Sequence, residues 1–127
     1  MNSRKFLESL KLAAEGVSYC IRTQRNMKIH LVVALFAALL CLFLRISGAE
    51  LVMIINAIAL VFICEIINTA VEKAVDTATL EYNPTAKISK DVAAGAVLVA
   101  ALNSIITGIL VFGRHLWPFV LEVLNIL

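Results

Sequence analysis

Residues 51–76 read LVMIINAIALVFICEIINTAVEKAVD, and the fold turns on how that run ends. From Leu51 to Ile67 the side chains are apolar apart from Asn56 and Glu65, which is the composition of a helix in hydrocarbon. The helical pattern then continues through Thr69, Glu72 and Asp76 without Pro or Gly. One helix therefore crosses the membrane at about 50–68 and projects into the headgroup region to about residue 79. Asn83-Pro84 closes it, because proline restricts the residue before it and cannot continue the hydrogen-bond ladder.

The surrounding sequence is of the same kind. The chain has 127 residues, of which 61% are hydrophobic and 16% charged, with a mean hydropathy of +0.95. Those values exclude an ordinary soluble domain. An uninterrupted apolar stretch from Leu31 to Leu44 marks an earlier crossing at about 28–46, with Arg45 able to snorkel at its far end. Ser47-Gly48-Ala49 leaves room only for a short turn, so the two crossings are antiparallel neighbours. After a polar connection at 85–91, a third crossing is expected at about 91–112, where Gly95, Ser104 and Gly108 permit close helix approach. Arg114, His115, Pro118 and Glu122 interrupt the last stretch, 114–127, which reads as an interfacial tail. At the other end, Phe6, Leu10, Ala13, Val17 and Ile21 recur at helical spacing among charged residues. That pattern predicts an amphipathic surface helix at about 4–24. The expected architecture is all-α: one integral membrane domain, 1–127, of three transmembrane helices plus an N-terminal surface helix.

Charge sets the orientation. Six Lys and Arg residues precede the first crossing, and Lys73, Lys87 and Lys90 bring that side to nine, against Arg45 and Arg114 on the other. The positive-inside rule places the N-terminus and the region around Lys73 to Asp91 in the cytoplasm. The basic start suits anionic headgroups, and nothing in the pattern points to nucleic acid. Cys20, Cys41 and Cys64 are isolated from one another and read as small buried hydrophobes rather than as a disulfide framework or a metal cluster. Glu8, Lys11 and Glu15 interrupt any apolar core near the N-terminus, so the start does not read as a secretory signal.

Chemistry concentrates where the second crossing emerges. At about 100° per residue, Glu65, Asn68, Glu72 and Asp76 fall within roughly an 80° stripe. Acids reaching for water at the wet end of a helix would account for Asp76. A carboxylate such as Glu65, set among Ile63, Cys64, Ile66 and Ile67, is expensive near lipid and marks function. Carboxylates with an amide oxygen suit a hard divalent cation such as Mg²⁺, which completes its shell with water and phosphate oxygens. Lys87 and Lys90 on the same side make polyphosphate the natural shared partner. His30 has no partner histidine and reads as an interfacial helix residue rather than a metal ligand.

The run from Glu65 to Asp76, E-I-I-N-T-A-V-E-K-A-V-D, followed by Ala86 to Val97, A-K-I-S-K-D-V-A-A-G-A-V, resembles the small prokaryotic diacylglycerol kinases, a family that includes undecaprenol kinases. The resemblance extends from about Phe6 to Phe112. It implies a homotrimer in the bacterial inner membrane with composite sites between subunits. It also implies transfer of the γ-phosphoryl group of ATP, with Mg²⁺, to the hydroxyl of a membrane lipid, undecaprenol or diacylglycerol. Position by position, Glu65 matches the catalytic base and Glu72 a metal ligand, while Asn68, Asp76, Lys90 and Asp91 match the ATP site. Gln24 falls at a metal and nucleotide position where the family commonly has Glu, offering an amide oxygen without charge. An inactive structural relative and a small cation-coupled transporter are the competing readings. The first is motivated by Gln24. The second is weakened because Glu65 lies at a boundary rather than deep in a crossing.

Overall fold

The computed structural model describes residues 3–79 and 81–126; Leu80 and Leu127, at the expected helix end and tail, lie outside the described residues. Four helices follow in order: α1 Ser3–Thr23, α2 Arg25–Phe43, α3 Gly48–Ala78 and α4 Pro84–Ile126. Three of them, α2, α3 and the Pro84–Pro118 part of α4, are long and apolar enough to cross a membrane. The molecule is an all-α integral membrane protein with an additional N-terminal amphipathic helix. At 1.5 Å rise per residue, the 19 residues of α2 span about 28 Å, close to the hydrocarbon thickness. The 31 residues of α3 exceed that thickness, so part of this helix extends into the headgroup region.

Gln24 alone separates α1 from α2, with an extended backbone (φ −91°, ψ 124°). Its N–H closes α1 on the Cys20 carbonyl at 2.9 Å. Cys20 and Met27 flank the break and are buried, so the change of direction is held by packing on both sides. Elsewhere α1 is largely exposed, as an interfacial helix must be before a membrane covers it.

The α2–α3 connection is a Schellman motif. Arg45 takes the left-handed conformation (φ 55°) and donates to Leu42 at 3.3 Å, while the Ile46 N–H donates to the Cys41 carbonyl at 2.9 Å. Ile46 and Cys41 then pack together with Ile54 and Val111 in the apolar cluster at this end of the bundle. Ser47 precedes α3 as its N-cap, and Gly48 opens the helix with φ 62°.

At the other end the polar stretch 85–91, expected as a connection, forms the first two turns of α4. The Asn83 side-chain oxygen accepts from the N–H groups of Thr85 at 2.9 Å and Ala86 at 3.3 Å, and Pro84 occupies the first helical position. α3 has already ended at Ala78, with the Thr79 N–H on the Val75 carbonyl at 3.1 Å, so Asn83-Pro84, expected to close that helix, instead starts the next. The far end also differs from expectation: α4 continues unbroken from the third crossing through residues 114–126, with Pro118 inside it. Two of the polar residues that interrupt the sequence there find a partner across the bundle, because Glu50 accepts from His115 Nε2 at 2.8 Å and lies 3.5 Å from Arg114 Nη1.

The antiparallel pair α3 and α4 forms the body of the molecule, with α2 leaning on α3 and α1 touching both α2 and α3. Buried Ala57 on α3 and Ala100 on α4 let the backbones approach. The outer faces carry exposed Val32, Phe36, Leu42, Val99 and Ile109, which suits a hydrocarbon solvent.

Candidate functional site

Burial falls steadily along the α3 stripe. Glu65 is 2% exposed and Asn68 6%, Glu72 is half-buried, and Asp76 is exposed. The stripe therefore leads from a covered carboxylate to the solvent, over about 16 Å at 1.5 Å per residue.

Three polar side chains at the covered end have different bonding. Thr69 donates its hydroxyl to the Glu65 backbone carbonyl at 2.9 Å, which hides that hydroxyl within its own helix. Asn68 donates through Nδ2 to Glu72 Oε1 at 3.1 Å. Asn68 Oδ1 and Glu65 Oε2 are buried and have no partner. Leaving such atoms unpaired costs about 1–3 kcal/mol each, more for a charged group, so they mark a place organised for something other than stability.

Glu65 and Asn68 line a cavity of about 300 Å³ between α2, α3 and α4, together with Asn26 and His30 and with Ala94, Val97 and Ala101 among others. Beyond His30 and Ala101, which line both, lies a second space of about 230 Å³ that is almost wholly apolar, walled by Val33, Val61, Phe62 and Ile105. Glu65 lines the first space but not the second, and their junction is formed by Ile29, His30 and Ala101. His30, read from the sequence as an interfacial residue, sits at that junction. Its four-residue spacing from Asn26 put the two on one side of α2, yet no sequence signal said that this side turns toward Glu65.

A third cavity, about 230 Å³, lies at the turn between α3 and α4 and is bordered by Asp76, Tyr82, Asn83, Lys87 and Lys90. Lys90 forms an ion pair across the two helices with Asp76, and Lys87 pairs with Asp91 along α4 at 2.5 Å. All four side chains are substantially exposed, so water and salt screen both pairs. The structure thus brings Glu65, Asn68 and Glu72 together, and separately groups Asp76, Lys90, Lys87 and Asp91 at the solvent end. Gln24 belongs to neither set by hydrogen bonding; its amide donates to Thr23 Oγ1 at 3.4 Å.

Among the described residues there is no group of three or more His, Cys, Asp or Glu that could hold a metal unaided. The oxygens of Glu72 and the unpartnered Oδ1 of Asn68 are hard donors, and they fit a cation that keeps waters and takes phosphate oxygens.

A buried acid in a membrane helix, oxygen donors beside it and lysines at the solvent end define an integral membrane protein with a polar site at one end of its bundle. The chain belongs to the prokaryotic diacylglycerol kinase family, whose model matches residues 11–112. It is 41% identical to the undecaprenol kinase of Bacillus subtilis over 109 residues, covering 85% of this chain and 88% of that one. It is 40% identical to a diacylglycerol kinase of Synechocystis over 103 residues, covering 80% of this chain and 59% of that relative. With the diacylglycerol kinase of Escherichia coli the identity is 32% over 84 residues, covering 66% and 69% of the two chains. Family and fold together support a lipid-kinase type of activity.

Proposed function

We propose that the protein transfers the γ-phosphoryl group of ATP to the hydroxyl of a membrane lipid, undecaprenol or diacylglycerol, at the cytoplasmic face of the bacterial inner membrane. The observation that carries this reading is Glu65: a carboxylate 2% exposed, with Oε2 unpartnered, lining a cavity whose junction with an apolar one is formed by Ile29, His30 and Ala101. A lipid alcohol matches that junction, with its chain in the apolar space and its hydroxyl beside the acid.

In the proposed step Glu65 accepts the hydroxyl proton as the oxygen attacks the γ-phosphorus. The bond from that phosphorus to the β–γ bridging oxygen breaks, and ADP leaves with the electron pair. Glu72 and Asn68 Oδ1 would hold Mg²⁺ together with phosphate oxygens, and Gln24 would offer an amide oxygen from the break before α2. When bound, Mg²⁺ neutralises charge on the β- and γ-phosphates. Lys90, released from Asp76, pairs with phosphate, and Asp91 and Asp76 orient the cations and the nucleotide around it. Catalysis of this kind needs alignment and charge compensation more than a dedicated nucleotide fold. The working unit is a homotrimer with sites completed between neighbouring subunits.

The test is transfer of labelled phosphate from ATP to each lipid by protein in detergent or vesicles, resolved by thin-layer chromatography. Label is expected in at least one lipid and only with Mg²⁺. A folded, oligomeric preparation that labels neither lipid overturns the kinase reading in favour of an inactive relative.

A further inference from the structure

Glu65 Oε2 lacks a donor, and the surroundings narrow what could supply one. Asn68 Nδ2 donates to Glu72 and makes no bond to Glu65 Oε2. The Thr69 hydroxyl goes to the Glu65 backbone. The α4 wall of the cavity, Ala94, Val97, Leu98 and Ala101, carries no polar side chain. That leaves α2, which offers Asn26 and His30. Asn26 is exposed in the first turn of α2, whereas His30 is half-buried one turn deeper and lines both the polar and the apolar cavity.

We propose that His30 is a positioning residue for Glu65: a ring N–H of His30 donates to Glu65 Oε2, directly or through one water, and so turns the other carboxylate oxygen toward the lipid hydroxyl. No direct hydrogen bond joins the two among the described residues, so a rotation of the imidazole or a bridging water completes the contact. A carboxylate free to rotate presents its oxygens to the substrate only part of the time. One held by a fixed donor stays aligned for proton transfer, as outer partners align metal ligands and catalytic acids elsewhere. This inference rests on Glu65 being the base.

Two measurements test it. In the first, His30→Leu fills the site with an apolar side chain suited to the Val33 and Val61 side of the junction, while His30→Gln keeps an N–H donor. His30→Leu is expected to lower kcat on the order of 10-fold or more with the KM for ATP little changed, and His30→Gln to recover most of the loss. Full turnover in His30→Leu, or a loss as large in His30→Gln, overturns the proposal, because either is what a packing role produces. The second measurement is independent of turnover. The chain has two histidines, His30 and His115, so ¹⁵N-histidine labelling gives two imidazoles, assigned with a His115→Gln variant. Glu65→Gln is expected to shift the ring-nitrogen signals of His30 and leave those of His115 in place; unmoved His30 signals overturn the contact. If the unsubstituted protein transfers no phosphate while Glu65→Gln still shifts His30, the kinase reading fails and the His30–Glu65 contact stands.

Discussion

Within four residues of the α2–α3 connection, Arg45 and Gly48 both take positive φ, at 55° and 62°. Only at Gly48 does the sequence supply the residue that this conformation favours, and a Cβ added there would meet nothing within 4 Å. Gly48→Ala should therefore cost about 1 kcal/mol through backbone strain alone, read as a lower midpoint in denaturant unfolding. A different separation is expected on the α3 stripe. Glu65→Gln should lower kcat by about 10²- to 10⁴-fold with little change in nucleotide affinity, whereas Glu72→Gln should raise the Mg²⁺ and ATP concentrations needed for half-maximal rate. Unchanged turnover in Glu65→Gln would remove it from the base role. The members of this stripe are legible in the sequence because helical spacing alone puts them on one face. Their burial gradient is not, since it depends on where α2 and α4 cover α3. His30 was illegible for a related reason: beyond its first turns α2 is apolar on all sides, so its pattern names no inward face, and only the packed bundle puts His30 on the same cavity as Glu65.

At the level of elements, the apolar runs account for the three crossing helices, because each must satisfy its backbone internally within hydrocarbon. Their ends depend on finer chemistry. Asn83-Pro84 reads equally as a helix stop and as the cap and first residue of a helix, and the side-chain oxygen of Asn83 decides for the second by accepting from Thr85 and Ala86. Asn83→Ala should then cost about 1 kcal/mol. It should also raise hydrogen exchange at residues 85–88, whereas Asn83→Ser or Asn83→Asp should hold it. This matters for the site, since those first two turns of α4 carry Lys87, Lys90 and Asp91. The opposite end shows why charge in a sequence does not end a helix: Arg114 and His115 have a carboxylate waiting on α3, and α4 runs past them.

At the scale of the whole molecule, the two ends of the bundle differ in charge. The start of α2, the end of α3 and the start of α4 form one end, where Arg25, Lys28, Lys73, Lys87 and Lys90 gather. The opposite end holds Arg45 and Arg114, and the second of these lies close to Glu50. Lys and Arg near the ends of crossings are retained on the cytoplasmic side, so this asymmetry supports the proposed orientation, with the α3–α4 turn inside. In a variant freed of Cys20, Cys41 and Cys64, a membrane-impermeant maleimide applied to intact cells should label Ser47→Cys and spare Thr85→Cys, and permeabilised cells should label both. The reverse pattern would put the lysine-bearing cavity and Glu72 outside, away from cytoplasmic ATP, and would overturn the proposed donor whatever the residues around Glu65. Neutralising Lys73 together with Lys87, with Lys28 left in place, should weaken the orientation without inverting it, because four of the six N-terminal cations flank or lie on α1 ahead of the first crossing. A mixed population of Thr85→Cys labelling in that variant, absent from the parent, is the result that charge-directed insertion requires.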